Sequence, residues 1–163
     1  MAIEKVRAYF KARGMEDRIQ EFALSSATVA LAAKALNCEE QRIAKTLSFH
    51  GKEHPMLIVA AGDSKIDNAK YKARFGLKAK MLTPEEALEL IGHGVGGVCP
   101  FAVNPGVEIY LDVSLKRFET VYPACGSANS AIQLTIPELE ACTDYLDWVD
   151  VCKVNVPILT EKL

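Results

Sequence analysis

Ile43-Ala44-Lys45-Thr46-Leu47-Ser48-Phe49-His50 is followed, five residues on, by Met56-Leu57-Ile58-Val59-Ala60-Ala61, and these two segments decide the architecture. Side chains of a strand alternate in direction. In the first segment Ile43, Lys45, Leu47 and Phe49 therefore share one face, and Ala44, Thr46 and Ser48 share the other. The second segment is apolar throughout, as expected of a strand covered on both faces.

Upstream, Ile3, Val6 and Phe10 predict a short helix closed near Gly14, and Val29, Ala32, Ala33 and Leu36 form a helical stripe. Ser26 or Thr28 can cap the start of that second helix and Asn37 its end. Downstream, residues 66–75 read as a helix stopped by Gly76. Thr83-Pro84-Glu85-Glu86 opens another, with Thr83 as cap, Pro84 at the first helical position and Glu86 closing a capping box; it ends by Gly92. Val107, Ile109, Leu111 and Val113 lie on one face of a further strand, and residues 120–124 and 131–135 read as two more. Thr135-Ile136-Pro137-Glu138 predicts a last helix whose stripe is Leu139, Cys142, Leu146 and Val149. Residues 154–163 have no period and read as a loose tail or one packed on a neighbour. Helices come first and last around closely spaced strands. This predicts one α+β domain over residues 1–163 with a mixed or curled sheet, rather than a regular βαβ array.

Of the 163 residues, 50% are hydrophobic and 25% charged, an ordinary globular balance able to bury a core. A net charge of -2 argues against broad coating of nucleic acid, DNA included, but leaves room for a local basic patch that meets one RNA end. No apolar run approaches the length of a membrane helix, so no membrane partner is expected. The start, Met1-Ala2-Ile3-Glu4-Lys5, lacks the apolar core of a signal peptide. Cys38, Cys99, Cys125, Cys142 and Cys152 are odd in number and contain no CxxC, and they read as reduced thiols of a cytoplasmic protein. His50, His54 and His93 form no zinc spacing with them, so neither a metal nor another cofactor is expected.

Lys45 interrupts an apolar face. It is either a stem snorkelling to the sheet edge or a fixed ammonium facing a pocket. In Gly92-His93-Gly94-Val95-Gly96-Gly97-Val98-Cys99-Pro100-Phe101, four glycines let the backbone approach a ligand and offer N–H groups to a phosphate or oxyanion; the bland alternative is a surface loop. It is neither a P-loop nor a dinucleotide-binding turn. Ala124-Cys125-Gly126-Ser127-Ala128-Asn129-Ser130 is a turn of small and polar residues between strands. Cys99 or Cys125 with His93 would make a thiol nucleophile, or else the cysteines are small buried hydrophobes. Asp63, Asp67 and Asp112 are candidate bases, Asp67 equally a first-turn helix residue. Lys65, Lys70, Lys72, Arg74, Lys78 and Lys80 concentrate positive charge, as a solvated face or a phosphate-contacting patch.

Several blocks, in order, resemble the YbaK/ProX editing domains associated with prolyl-tRNA synthetase. They are Thr28-Val29-Ala30-Leu31-Ala32-Ala33, Ile43-Ala44-Lys45-Thr46-Leu47, Gly62-Asp63-Ser64-Lys65-Ile66-Asp67, Gly96-Gly97-Val98-Cys99-Pro100-Phe101, Asp112-Val113-Ser114-Leu115, Thr120-Val121-Tyr122 and Gly126-Ser127. The resemblance spans residues 28–139. It implies a mixed, barrel-like β-sheet flanked by helices and deacylation of misacylated tRNA, often tRNA for proline, with prolyl-tRNA synthetase as a candidate partner. The family's lysine maps to Lys45, and its GxxxP loop to Gly96, Gly97, Val98, Cys99 and Pro100. Thr28, Thr46, Asp63, Lys65, Gly126, Ser127 and Asn129 become candidate substrate-binding residues, and Lys70, Lys72 and Arg74 candidate RNA contacts. Where many members carry glycine after the Pro-Phe pair, this chain has Ala102.

The implied chemistry suits these residues. Lys45 can hold a phosphate or polarise an ester carbonyl as a point charge. Backbone N–H groups near Gly97 to Cys99 can stabilise a tetrahedral intermediate, with water as nucleophile. A second, small pocket is a physical answer to weak discrimination, because one methylene is worth only roughly 1–3 kcal/mol. Two other classes fit the same residues: a non-catalytic module binding a nucleotide or aminoacyl-adenosine, and a cysteine-dependent hydrolase.

Overall fold

The computed structural model describes residues 2–94 and 96–154. In chain order its elements are α1 (Ala2–Lys11), β1 (Ile19–Glu21), α2 (Val29–Leu36), β2 (Ile43–Phe49), β3 (Met56–Ala61), β4 (Ser64–Ile66), α3 (Asn68–Phe75), α4 (Pro84–Leu90), β5 (Glu108–Asp112), β6 (Thr120–Pro123), β7 (Ser130–Ile132), β8 (Leu134–Thr135), α5 (Ile136–Ala141), β9 (Tyr145–Val149) and β10 (Cys152–Val154). Short 3-10 turns occupy Glu16–Arg18, Glu40–Arg42 and Val113–Arg117.

The six-stranded main sheet has the order β8-β6-β2-β3-β5-β9. β2 runs antiparallel to β3, with Lys45 opposite Ala60 and Leu47 opposite Ile58. The β2–β6, β3–β5 and β5–β9 pairs are parallel, and β6–β8 is antiparallel. This is the mixed, curled sheet with flanking helices that the α+β reading expects. β1 pairs with β7, and β4 with β10, in two small antiparallel ribbons.

All six residues of β3 are buried, and each face has its own cover. Val59 and Ala61 pack with Ala44, Leu111 and the α1 residues Val6 and Phe10, whose ring meets Phe101 at 4.7 Å between centroids. Met56, Ile58 and Ala60 pack on the opposite face with Phe49 and Tyr71 of α3. The uniform hydrophobicity of β3 is thus the signature of a strand with no wet face.

Local chemistry sets the helix ends. Of the two candidate caps for α2, Thr28 takes the role, its hydroxyl accepting the Leu31 N–H at 3.2 Å, and Asn37 closes the helix at φ +55°. Asp67 caps α3 through the Ala69 and Lys70 N–H groups. The helix therefore starts at Asn68, and Ile66 belongs to β4. Thr83 with Glu86, and Thr135 with Glu138, form complete capping boxes.

Three sequence expectations are corrected. The last helix ends at Ala141, and Tyr145–Val149 is the edge strand β9. The apparent helical stripe was a coincidence of spacing: Leu146 is 59% exposed, while the β-favouring Tyr145, Trp148 and Val149 pair along β5. Residues 131–135 divide into β7 and β8, which pair with different partners, β1 and β6. Val113 leaves the strand to begin the 3-10 turn, because the Asp112 carboxylate caps that turn through the Ser114 N–H. The expected tail lies outside the described residues apart from Val154, which ends β10.

Asp112, one of the candidate bases, is instead a buried clamp. It is 1% exposed, and its two oxygens accept the Ser114 N–H and the Val151 N–H, each at 2.9 Å. It thereby ties the end of β5 to the segment entering β10. Ionised acceptors make the stronger hydrogen bonds, and a buried N–H left without one is costly. Asp112→Ala is expected to destabilise the chain by roughly 3 kcal/mol or more, read as a lower urea midpoint. A loss below about 1 kcal/mol would show that both N–H groups readily find other partners.

Candidate active site

β2 is paired along one side by β3, but on its other side the ladder is interrupted. β6 meets it only at Ile43 and Ala44. Pairing resumes at Phe49 opposite Met81, flanked by Leu82 N–H to Ser48 C=O at 3.0 Å and His50 N–H to Lys80 C=O at 2.9 Å. Between these contacts a cavity of about 310 Å³ wraps the exposed edge, at the small end of ligand sites. Every residue from Ile43 to Ser48 lines it, so side chains from both faces of β2 reach the same space. Ala27 to Val29 and Ala32 form one wall, Met81 to Pro84 and Ala87 another, and Tyr122, Ala124, Ser130 and Ala131 a third. Gly96 and Val98 bring in the glycine-rich loop.

Lys45 is the only charged side chain among the described residues that line the cavity. It is half-buried, and burial pushes its ammonium below the usual lysine range. Its Nζ donates to the Ser64 carbonyl. That carbonyl is itself held in place. The Ser64 hydroxyl donates to Ala61 C=O at 2.6 Å, and the Ser114 hydroxyl accepts the Ala61 N–H at 3.1 Å. Arg117 grips Asp63 through two bonds of 3.0 and 2.5 Å and also donates to Ser114 C=O. The lysine is therefore neither a free snorkelling stem nor, among the described residues, half of an ion pair; a buried hydroxyl network fixes where its charge sits.

The glycine-rich loop approaches from the other face. A Cβ on Gly97 would lie 2.6 Å from the backbone of Gly126 and Ser127, so only glycine lets the loop seat on that turn. Gly97 donates its own N–H to Gly94 C=O at 3.1 Å, which removes it from the possible oxyanion donors. Cys99 and Pro100 are buried behind Val98 rather than facing the cavity. His93 braces the loop from inside: Nε2 lies 2.7 Å from Phe101 C=O and 3.5 Å from the Cys99 sulfur. Ala102 adopts φ +53°, a left-handed conformation costing an L-residue about 1 kcal/mol, so the loop keeps this bend without glycine.

Thr28 and Thr46 do line the cavity. Asp63, Lys65, Gly126, Ser127 and Asn129 do not. Asp63 is engaged by Arg117, and Lys65 is exposed on β4 opposite Lys153. Asn129 exchanges bonds with Phe22, and Ala128 C=O accepts the Ser26 N–H at 2.6 Å. The turn thus anchors the segment that carries Thr28. The lining residues missed in the sequence are mostly alanines and hydroxyl side chains, which carry no signal distinguishing a cavity wall from a core.

The thiols are poorly placed for nucleophilic work. Cys99 and Cys125 are fully buried, and burial pushes the Cys99 thiol up to about 12 and Cys125 higher still. Burial lowers the His93 pKa, leaving the ring a weak base. Among the described residues no group of three His, Cys, Asp or Glu side chains could hold a metal ion, and no helix is long and apolar enough to cross a membrane. On the surface, Lys70 pairs with Asp150 at 3.1 Å and Arg74 with Asp147 at 3.2 Å, while Lys72 makes no ion pair among the described residues.

Comparison with known proteins identifies the family and the fold. Residues 25–142 fit the family model described as "Aminoacyl-tRNA editing domain". The chain is 53% identical over 154 residues to the uncharacterized protein YwhH of Bacillus subtilis (strain 168), covering 94% of this chain and 98% of that one. It is 26% identical over 132 residues to a proline–tRNA ligase of Streptococcus equi subsp. zooepidemicus (strain H70), covering 79% of this chain but only 21% of the ligase. Among solved structures, the hypothetical protein APE2540 superposes with a TM-score of 0.80 at 30% identity, covering 91% of this chain and 99% of that one. A candidate trans-editing enzyme for prolyl tRNA synthetase superposes with a TM-score of 0.83 at 29% identity, covering 93% and 97%. With its family model matched over most of its length and its cavity built around the β2 edge, the chain belongs to the aminoacyl-tRNA editing domain family.

Proposed function

We propose that the chain is an aminoacyl-tRNA deacylase that acts in trans, removing a small amino acid from mischarged tRNA, with tRNA for proline as the first candidate. The observation that carries this reading is a small cavity in which one desolvated ammonium, Lys45, shares space with the backbone of the Gly96–Val98 loop. The reaction needs little more. Water adds to the ester carbonyl carbon, charge collects on the carbonyl oxygen, and the bond to the ribose oxygen breaks with a proton passing to that oxygen. In a desolvated site, fixed positive charge and N–H donors stabilise the developing oxyanion far better than water does. The cavity wall holds no carboxylate or histidine among the described residues, so the nucleophile is a water aligned by hydroxyls, of the protein or of the substrate. The family relation and the likeness to a candidate trans-editing enzyme support the activity, and the proline–tRNA ligase relatives support the choice of tRNA. The proposed setting is the cytoplasm, with prolyl-tRNA synthetase as a candidate partner.

The purified chain is expected to release alanine, cysteine, serine or threonine from mischarged proline tRNA and to spare the correctly charged species. No release above the spontaneous rate across that panel, with and without prolyl-tRNA synthetase, would overturn the proposal. Lys45→Ala is expected to lower the rate about 100-fold or more, in line with removal of an oxyanion donor, while the melting temperature stays near that of the parent. Near-parental turnover in that variant would remove Lys45 from the mechanism.

Cys99→Ser and Cys125→Ser are expected to keep substantial turnover, because neither thiol ionises at neutral pH. Loss of activity in one of them with folding intact would restore the thiol mechanism.

For docking of the tRNA body we propose α3, whose Lys70, Lys72 and Arg74 are all exposed, Lys70 and Arg74 in weak surface ion pairs and Lys72 in none among the described residues. Charge reversal at Lys70 and Lys72 is expected to weaken tRNA binding and to flatten its salt dependence by roughly 0.7–0.9 in slope per lost phosphate contact. Hydrolysis of an aminoacyl-adenosine ester should be unchanged. Equal loss on both substrates would assign these lysines to the fold.

A further inference from the structure

Thr46 is the residue at the centre of the β2 gap, and its polar groups have no partner among the described residues. Ser48 C=O and His50 N–H point away from β3, toward Leu82 and Lys80. Main-chain groups of a strand repeat their direction every second residue. The N–H and C=O of Thr46 therefore point the same way, into the cavity, between the last contact with β6 at Ala44 and the first contact at Ser48. No bond to either group occurs among the described residues. The Thr46 hydroxyl is also buried without a partner. Three polar groups on one residue at the cavity floor, none with a partner among the described residues, form a recognition element for a ligand that can satisfy them.

Taking the cavity as an aminoacyl-ester site, as above, we infer that Thr46 recognises the aminoacyl group as a one-residue β-bridge. An aminoacyl ester presents an α-ammonium and, next to it, a carbonyl oxygen. These are the donor and acceptor that one residue offers to its directly opposite partner in an antiparallel hydrogen-bonded pair. Thr46 C=O accepts from the α-ammonium, and Thr46 N–H donates to the ester carbonyl oxygen. The gap leaves room for one such two-bond pair, because two residues away on either side Ala44 is paired with β6 and the Ser48 C=O is taken by Leu82. Directly opposed residues in a sheet project their side chains to the same face. An L-amino acid would thus place its side chain on the Thr46 side of the sheet, beside the unsatisfied hydroxyl and away from Lys45, which projects to the other face. A D-amino acid would be sent to the Lys45 face. Thr46 selects for an α-amino group and for L configuration without reading the amino acid's identity.

The test is a titration with an amide-linked L-alanyl-adenosine, which the chain cannot hydrolyse as an ester, followed by NMR at the Thr46 amide. The expected result is a saturable downfield shift of that proton, with the propionyl analogue, which lacks the ammonium, and the D-alanyl analogue each binding at least tenfold more weakly. If the analogue binds but the Thr46 amide does not respond, or all three bind alike, the β-bridge is wrong and the deacylase reading stands. If none of them binds at the cavity, both are wrong. Turnover of L-alanyl-tRNA gives an independent check. Thr46→Pro removes the N–H on the side that β3 does not use, and should lower kcat/KM by about 100-fold while Thr46→Val, which keeps it, loses less than tenfold. Equal effects of the two would transfer the role from the main chain to the hydroxyl.

Discussion

Strand β2 is fully paired on one side and paired only at its ends on the other, and the rest of the site depends on that asymmetry. A strand interrupted in this way normally leaves unsatisfied backbone groups that invite aggregation. Here the gap is short, enclosed by α2, α4 and the turn after β6, and bounded by pairing at Ala44 and Phe49. What would be a defect in a plain sheet becomes part of the polar floor of the cavity.

Holding that gap open requires rigidity around it, supplied by buried polar groups rather than by more hydrophobic contact. Asp112 ties β5 to the approach to β10, Ser114 and Ser64 take both main-chain groups of Ala61, and the Ser64 carbonyl receives Lys45. Each member is satisfied by the next, the condition under which a buried polar network rigidifies a site instead of weakening it. On the opposite face, the glycine-rich loop is seated on the Gly126–Ser127 backbone and braced by His93. The two catalytic candidates thus reach one cavity from two independently fixed supports.

Much of this was legible in the sequence. Lys45 announced itself as a charge breaking an apolar alternation, β3 as a run with no polar face, and Thr83 and Thr135 as helix starts through their capping boxes. β9 was not legible, because Leu139, Cys142, Leu146 and Val149 satisfy helical spacing by chance, and a register shift between Tyr145 and Asp147 breaks the alternation that would otherwise mark a strand. Asp63 and Asp112 looked like candidate bases, because a carboxylate clamped on Arg117 or on two N–H groups is indistinguishable in sequence from a free one. Thr46 was named only through the family resemblance, since its place at the β2 gap is set by a strand ending elsewhere, at Pro123.

A crystal structure of the chain with a non-hydrolysable aminoacyl-adenosine would test the central claim most directly. The expected result is the aminoacyl group in the cavity along the β2 edge, its carbonyl within reach of Lys45 and the Gly96–Val98 loop. Binding of the aminoacyl group at a different surface, with the β2 gap still empty, would contradict it.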